Sequence, residues 1–304
     1  MAQTTNLNVS PYFDDFNADD NYYKVLFKPG LPVQARELTG LQSILQNQIA
    51  KFGQHFFKEG SKVIPGNTSY IDNFDCVEIN NEYLGVTVES YIEQLLNRKI
   101  VGLTSGISAT IVKILKSENS ERGNLTLYVQ YESSGDINTT QNTFSDGENL
   151  AANIDIVSGP ESSAFIPIGE SFATTISSNA TSTAAAFSIA NGVYFVRGNF
   201  VNVNAETILL SQYSNTPTGR VGLRILEETI NSDEDANLTD NSKGFNNFAA
   251  PGADRLKISC SLTVKGEKDF NDNDFVELAS FRNGEVKAKT TTPQYNFLAD
   301  ELAR

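Results

Sequence analysis

The side chains best suited to chemistry are few and widely scattered. The chain has one histidine, His55. Histidine-dependent triads, His-rich metal sites and most acid–base schemes need more than one. Cys76 and Cys260 are far apart in sequence, each in an apolar, strand-like stretch. That placement predicts buried, reduced thiols, not a disulfide framework or a zinc site. No phosphate-binding Gly-x-x-x-x-Gly-Lys-Ser/Thr loop, no Gly-x-Gly-x-x-Gly turn and no Gly-x-Ser-x-Gly elbow is present. Acidic clusters stand at Asp14-Asp15, Asp19-Asp20, Asp233-Glu234-Asp235 and between Asp269 and Asp274. The last is oxygen-rich enough for calcium but lacks the glycine and the terminal Glu of a calcium loop, so it reads as a solvated turn. Carboxylate pairs for glycoside cleavage are available, yet Trp, the usual stacking platform for sugars, is absent. The expectation is a chain with no catalytic residue, no cofactor and no metal site.

The elements that would position such residues are mostly strands. Polar uncharged residues are abundant, hydrophobic residues make up 39% and charged residues 20%. Asn, Ser and Thr favour turns and strands over helices. One clear helix is predicted over 34–57, where Leu38, Leu41, Leu45, Ile49, Phe52 and Phe56 recur at three- and four-residue steps. Gly60 follows as a stop signal. The stripe either packs on the chain's own sheet or meets another subunit along a symmetry axis. As a heptad pattern it is interrupted, because Gln48 and His55 fall on the second seam position. Ahead of the helix lies an extended, aromatic arm containing Tyr12, Phe13, Tyr22 and Tyr23, with a turn at Asp19-Asp20-Asn21. The arm and the stripe together are the candidate assembly contact.

Beyond residue 60 the pattern alternates. Residues 75–88 read as a hairpin about Asn80-Asn81, 89–97 as a short helix, and 193–203 as a hairpin turning at Arg197-Gly198-Asn199. Closely spaced short strands after residue 97 suggest a small barrel or sandwich. Residues 132–150 read as a long exposed loop, 172–190 give no clear pattern, and 231–254 read as an acidic connection. The fold class expected is mainly β with one long N-terminal amphipathic helix, in several β-sandwich or small-barrel modules. The division is an arm and helix over 1–60, a main β domain over 61–96 with 160–304, and an inserted small β-barrel-like domain over 97–159. The final residues, 299–304, read as a helix that stops abruptly, as in a piece of a longer fibre.

A net charge of −14 and the lack of any basic run argue against nucleic acid as a direct partner. The first residues have neither a basic n-region nor an apolar h-region, so no signal peptide is expected, and no apolar run approaches a membrane span.

Several stretches resemble a family of phage structural proteins common in large myoviruses of marine cyanobacteria, described as tail-fibre-like or virion structural proteins. The matching words are Ser10-Pro11-Tyr12-Phe13-Asp14-Asp15-Phe16, Tyr22 to Gly30, Val33 to Thr39, Leu41 to Ile49, Tyr194-Phe195-Val196-Arg197-Gly198 and Phe248 to Leu256. The resemblance implies a virion role in the tail or baseplate, assembly in the host cytoplasm, other tail and baseplate proteins as partners, and no catalytic residues. Two function classes follow. The first is a homotrimeric structural module that attaches a tail fibre or baseplate wedge. The second is a carbohydrate-binding or depolymerising receptor-recognition module. The lack of catalytic signatures favours the first.

Overall fold

The computed structural model describes residues 4–64, 66–133, 141–158, 164–270 and 272–289. The chain is mainly β, with one long helix, Ala35–Phe56, and antiparallel sheets stacked in a sandwich-like arrangement. The largest sheet has eight strands. In spatial order they are Ser171–Thr174, Asn149–Ala152, Lys99–Gly102, Ser108–Leu115, Leu125–Ser133, Thr68–Ile79, Thr181–Ile189 and Glu206–Ser211. A second sheet orders Arg255–Lys265, Gly219–Ile230, Phe275–Arg282 and Glu285–Lys289. A third joins Lys62–Ile64, Gly192–Val196 and Asn199–Val203.

None of these sheets closes into a barrel, which corrects the small-barrel part of the expectation. Four strands of the eight-stranded sheet come from 97–159. They are flanked on one side by Thr68–Ile79 and on the other by Ser171–Thr174, so the sheet runs unbroken across both limits of that segment. Thr181–Ile189, where the sequence showed no clear pattern, lies well inside the sheet, between Thr68–Ile79 and Glu206–Ser211. Its Ala184, Ala185 and Ala186 are buried, and such small side chains allow neighbouring layers to approach closely. An alanine run carries no strand signature of its own, because Ala is depleted in strands.

Three apolar clusters form the core. One gathers Ile100, Ile111, Leu125, Leu127 and Leu150 against Tyr91, Ile92 and Leu95. Ile92 and Leu95 sit on the 3-10 turn Ile92–Leu95, and Tyr91 links it to the preceding turn Val88–Ser90, where a short helix was expected. A second packs Phe187 and Tyr194 against Val221, Leu223, Leu278 and Phe281 of the four-stranded sheet. A third stacks Phe74 on Tyr128, ring centroids 5.2 Å apart, beside Cys76.

Some local readings change. Residues 75–88 are not one hairpin: Thr68–Ile79 pairs with Leu125–Ser133 and Thr181–Ile189, while Glu82–Tyr83 and Val86–Thr87 form a separate ladder turning at Leu84-Gly85. The loop after 133 is not wholly exposed, since Phe144 and Glu148 are buried. Glu148 accepts backbone N–H groups from Ser105 (3.0 Å) and Ser145 (2.5 Å), which tie that loop to the sheet. The 193–203 hairpin is as read, with Arg197 and Gly198 both at positive φ, as a two-residue type I′ turn requires. The expected helix at 299–304 lies outside the described residues.

Candidate assembly surface

The helix begins with a capping box in which the Glu37 carboxylate accepts the Gln34 backbone N–H at 2.9 Å. Successive residues turn by about 100° on a helix of 3.6 residues per turn, so the stripe and its opposite face can be read from the numbering. The face turned to the body is built of small or polar residues. Ala50 and Gly53 are buried along with Ile44, and Ser43 and Asn47 are half-buried. A Cβ at Gly53 would stand 2.5 Å from Cε2 of Phe195. Only glycine allows that approach. The helix then ends at Phe57, whose ring lies 5.9 Å from both Phe195 and Phe200.

The apolar stripe points the other way. Leu38, Leu45, Ile49 and Phe52 are 51%, 57%, 55% and 68% exposed, and Leu41 and Phe56 are half-buried. Four of the six stripe residues therefore stay outside the chain's own packing, while Leu41 and Phe56 are partly covered. The reason is packing depth. The helix sits close on Phe195 through Gly53, a distance at which a leucine could not fit. His55, also exposed, sets its ring edge-on to Phe56 at 5.5 Å.

The arm is pinned at its start and free of secondary structure at its end. Glu227 accepts the backbone N–H of Thr4 (3.0 Å) and of Thr5 (2.8 Å) and the Thr5 hydroxyl (2.6 Å). Tyr12 donates its hydroxyl to Asp254 at 2.5 Å, Ser43 donates to Asp14, and Arg36 pairs with Asp15 at 2.8 Å. Asn17 caps the turn Ala18–Asp20, and Asn21 closes it in the left-handed region. From Tyr22 to Val33 the chain joins no helix or strand, and Tyr22, Tyr23, Leu26, Phe27, Leu31 and Val33 are all exposed. Among the arm residues expected to make contacts, Phe13, Tyr22 and Tyr23 are exposed, whereas Tyr12 is half-buried and holds the arm to the body.

The carboxylate that pins the arm belongs to a buried ion-pair centre that sequence reasoning did not single out. Arg197, at the hairpin turn, places its guanidinium 2.5 Å from Glu227 and also pairs with Asp274, while its backbone N–H donates to Glu59. The Arg197 and Glu227 side chains are almost wholly buried. Burial pushes the Glu227 pKa up, but donation from Thr5, Thr4 and Arg197 outweighs it and brings the pKa down to about 2. The available signal was Arg197 itself, standing at the first turn position of a two-residue hairpin where Asn, Asp or Gly is favoured.

The remaining chemistry candidates have structural partners. Asp272 pairs with Lys265 and Asp274 with Arg197, so this acidic run holds cations of the chain itself. Among the described residues, no group of three His, Cys, Asp or Glu side chains is placed to hold a metal ion. Cys76 is buried beside the Ser182 hydroxyl at 3.0 Å, whereas Cys260 is only half-buried, against expectation. Burial pushes the Cys260 thiol up to about 11. Two clefts of about 260 and 440 Å³ lie beneath the arm, lined mainly by polar residues such as Asn6, Asp14, Ser43 and Gln46. Among the described residues no helix is long and apolar enough to cross a membrane.

The profile of a family described as Domain of unknown function (DUF4815) matches residues 10–107 and 172–304. The chain belongs to that family. The arm from residue 10, the helix and the four-stranded sheet lie within the matched stretches, and the strands from Ser108–Leu115 to Ala164–Ile166 lie between them. No curated protein and no solved structure matches the chain.

Proposed function

We propose that this chain is a non-enzymatic structural component of a bacteriophage tail or baseplate, where it attaches a tail fibre or baseplate wedge as part of a homotrimer. The observation that carries the reading is the exposed apolar row on the helix Ala35–Phe56, continued by the exposed aromatic arm before it. Ten large apolar side chains between Tyr22 and Phe52 stand exposed, and large exposed apolar surface marks interaction sites. At roughly 100 Å² for each of the ten exposed side chains between Tyr22 and Phe52, the surface offers on the order of 1,000 Å², above the roughly 800 Å² per partner of a standard interface. The wording of the arm, the helix and the Tyr194–Gly198 hairpin, which resembles tail proteins, supports the viral setting. The Glu227, Asp254, Asp272 and Asp274 carboxylates are engaged by groups of the chain itself, which suits a scaffold better than a catalyst.

Mass photometry and light scattering on the purified chain test this. The expected result is a trimer at micromolar concentration that binds purified tail or baseplate proteins. A stable monomer that ignores those proteins, or turnover of a host cell-surface polysaccharide, would overturn it.

A further inference from the structure

We infer that copies of this chain associate through their N-terminal helices in an eleven-residue, not a seven-residue, packing repeat. Leu38, Leu41 and Leu45 recur eleven positions later as Ile49, Phe52 and Phe56. The steps run three, four, four, three, four, and every position in the row is large and apolar. An eleven-residue repeat has about 3.67 residues per turn, close to the natural 3.6 of the helix, so the row runs almost parallel to the axis with a slight right-handed drift. A heptad reading would place Gln48 and His55 in the seam and leave Ile49 and Phe56 at its edge. In that arrangement polar groups are buried and apolar ones remain wet, which is the costlier choice. Four of the six row residues, Leu38, Leu45, Ile49 and Phe52, stand more than half exposed, with Leu41 and Phe56 partly covered at the edges of the row.

The occupant is a second copy of the same helix. The row itself carries no charge, in a chain of net charge −14, so it is where two acidic bodies can approach with least repulsion. Together with the six exposed apolar side chains of the arm, the four exposed residues of the row offer the area that a stable interface needs, as estimated above. This inference rests on the homotrimer reading. Cyclic symmetry relates the helices by rotation about the axis, which makes them parallel and in register, so each layer holds copies of one residue.

Two neighbouring positions decide between the repeats. In the eleven-residue repeat Ile49 faces its own copies and Gln48 does not; in the heptad repeat the roles reverse. Ile49→Cys and Gln48→Cys are both exposed substitutions, and the melting temperature of each variant confirms folding. Under mild oxidation of the full chain, with the unsubstituted protein as control for Cys76 and Cys260, Ile49→Cys is expected to give roughly tenfold more disulfide-linked chain pairs than Gln48→Cys, since only facing cysteines come within bonding distance. A trimer whose Gln48→Cys variant cross-links better would overturn the eleven-residue repeat and leave the assembly reading standing. A monomer with no cross-link at either position would overturn both.

Discussion

Leu125, Leu127 and Val129 lie on one strand, and Leu38, Leu45 and Phe52 on one helix. The first three are inside the protein, two of them without any exposure, whereas the second three are each more than half exposed. The sheet segment around Leu127 closes its core with its own turns, Tyr91 and Leu95 among them. The helix segment buries one large side chain, Ile44, and leaves Leu38, Leu45, Ile49 and Phe52 outside. It is held by small residues against Phe195, by the capping box at Gln34, and by the arm bonds to Glu227, Asp254 and Ser43. Equal hydrophobicity in the sequence therefore has two different outcomes: in the sheet it is buried and stabilises the chain, and on the helix it remains exposed.

That contrast can be tested at several points. The largest effect is expected where the helix region is bolted down. Arg197→Ala removes the cation from a buried carboxylate and should lower the unfolding free energy by about 3–5 kcal/mol, measured by urea denaturation. The same centre sets an acid dependence. The Glu227 pKa of about 2 lies below its ordinary 4.5, so its contribution is complete above that value and is lost as pH falls toward 2. Glu227→Gln should flatten the stability profile within that window; an unchanged profile would mean that the arm is not held there. Next in size, Leu127→Ala should destabilise the sheet by about 3 kcal/mol through the lost contacts and the cavity left behind, again by urea denaturation. A loss below about 1 kcal/mol would remove the inner half of the comparison.

Smaller effects probe the helix. Gly53→Ala drives a methyl group into Phe195, and about 1–2 kcal/mol of overpacking strain should outweigh the better helix propensity of alanine. A rise in melting temperature would show that the helix does not sit as closely as described. The smallest effect on the isolated chain is expected for Leu45→Asp. Its site is exposed, so the unfolding free energy should move by no more than about 0.5 kcal/mol, while the oligomer seen by mass photometry disappears. A large loss of monomer stability would place the leucine inside after all.

The sequence carried the existence of the helix well, because its apolar spacing is regular and glycine is rare within it. It did not carry which face is buried. Amphipathic patterning assumes that the large residues seek the chain's own core, whereas here Ala50 and Gly53 determine the docking. The 193–203 hairpin was legible from its turn, but the ion pair made by Arg197 was not, since Glu227 and Asp274 are distant in sequence. Thr181–Ile189 was opaque because an alanine-rich strand deep in a sheet lacks the β-branched and aromatic signature of other strands. Strand order is non-local throughout, and local patterns do not encode it.

The bond between Thr5 and Glu227 spans 222 residues, and so it also sets a schedule. At translation rates of about 5–20 residues per second, the carboxylate is synthesised roughly 10–45 s after the threonine that it will hold. Until then the arm has no anchor, and the helix after it lacks Phe195 to rest on. The helix that carries the apolar row is therefore fixed to the body only after most of the chain has been made.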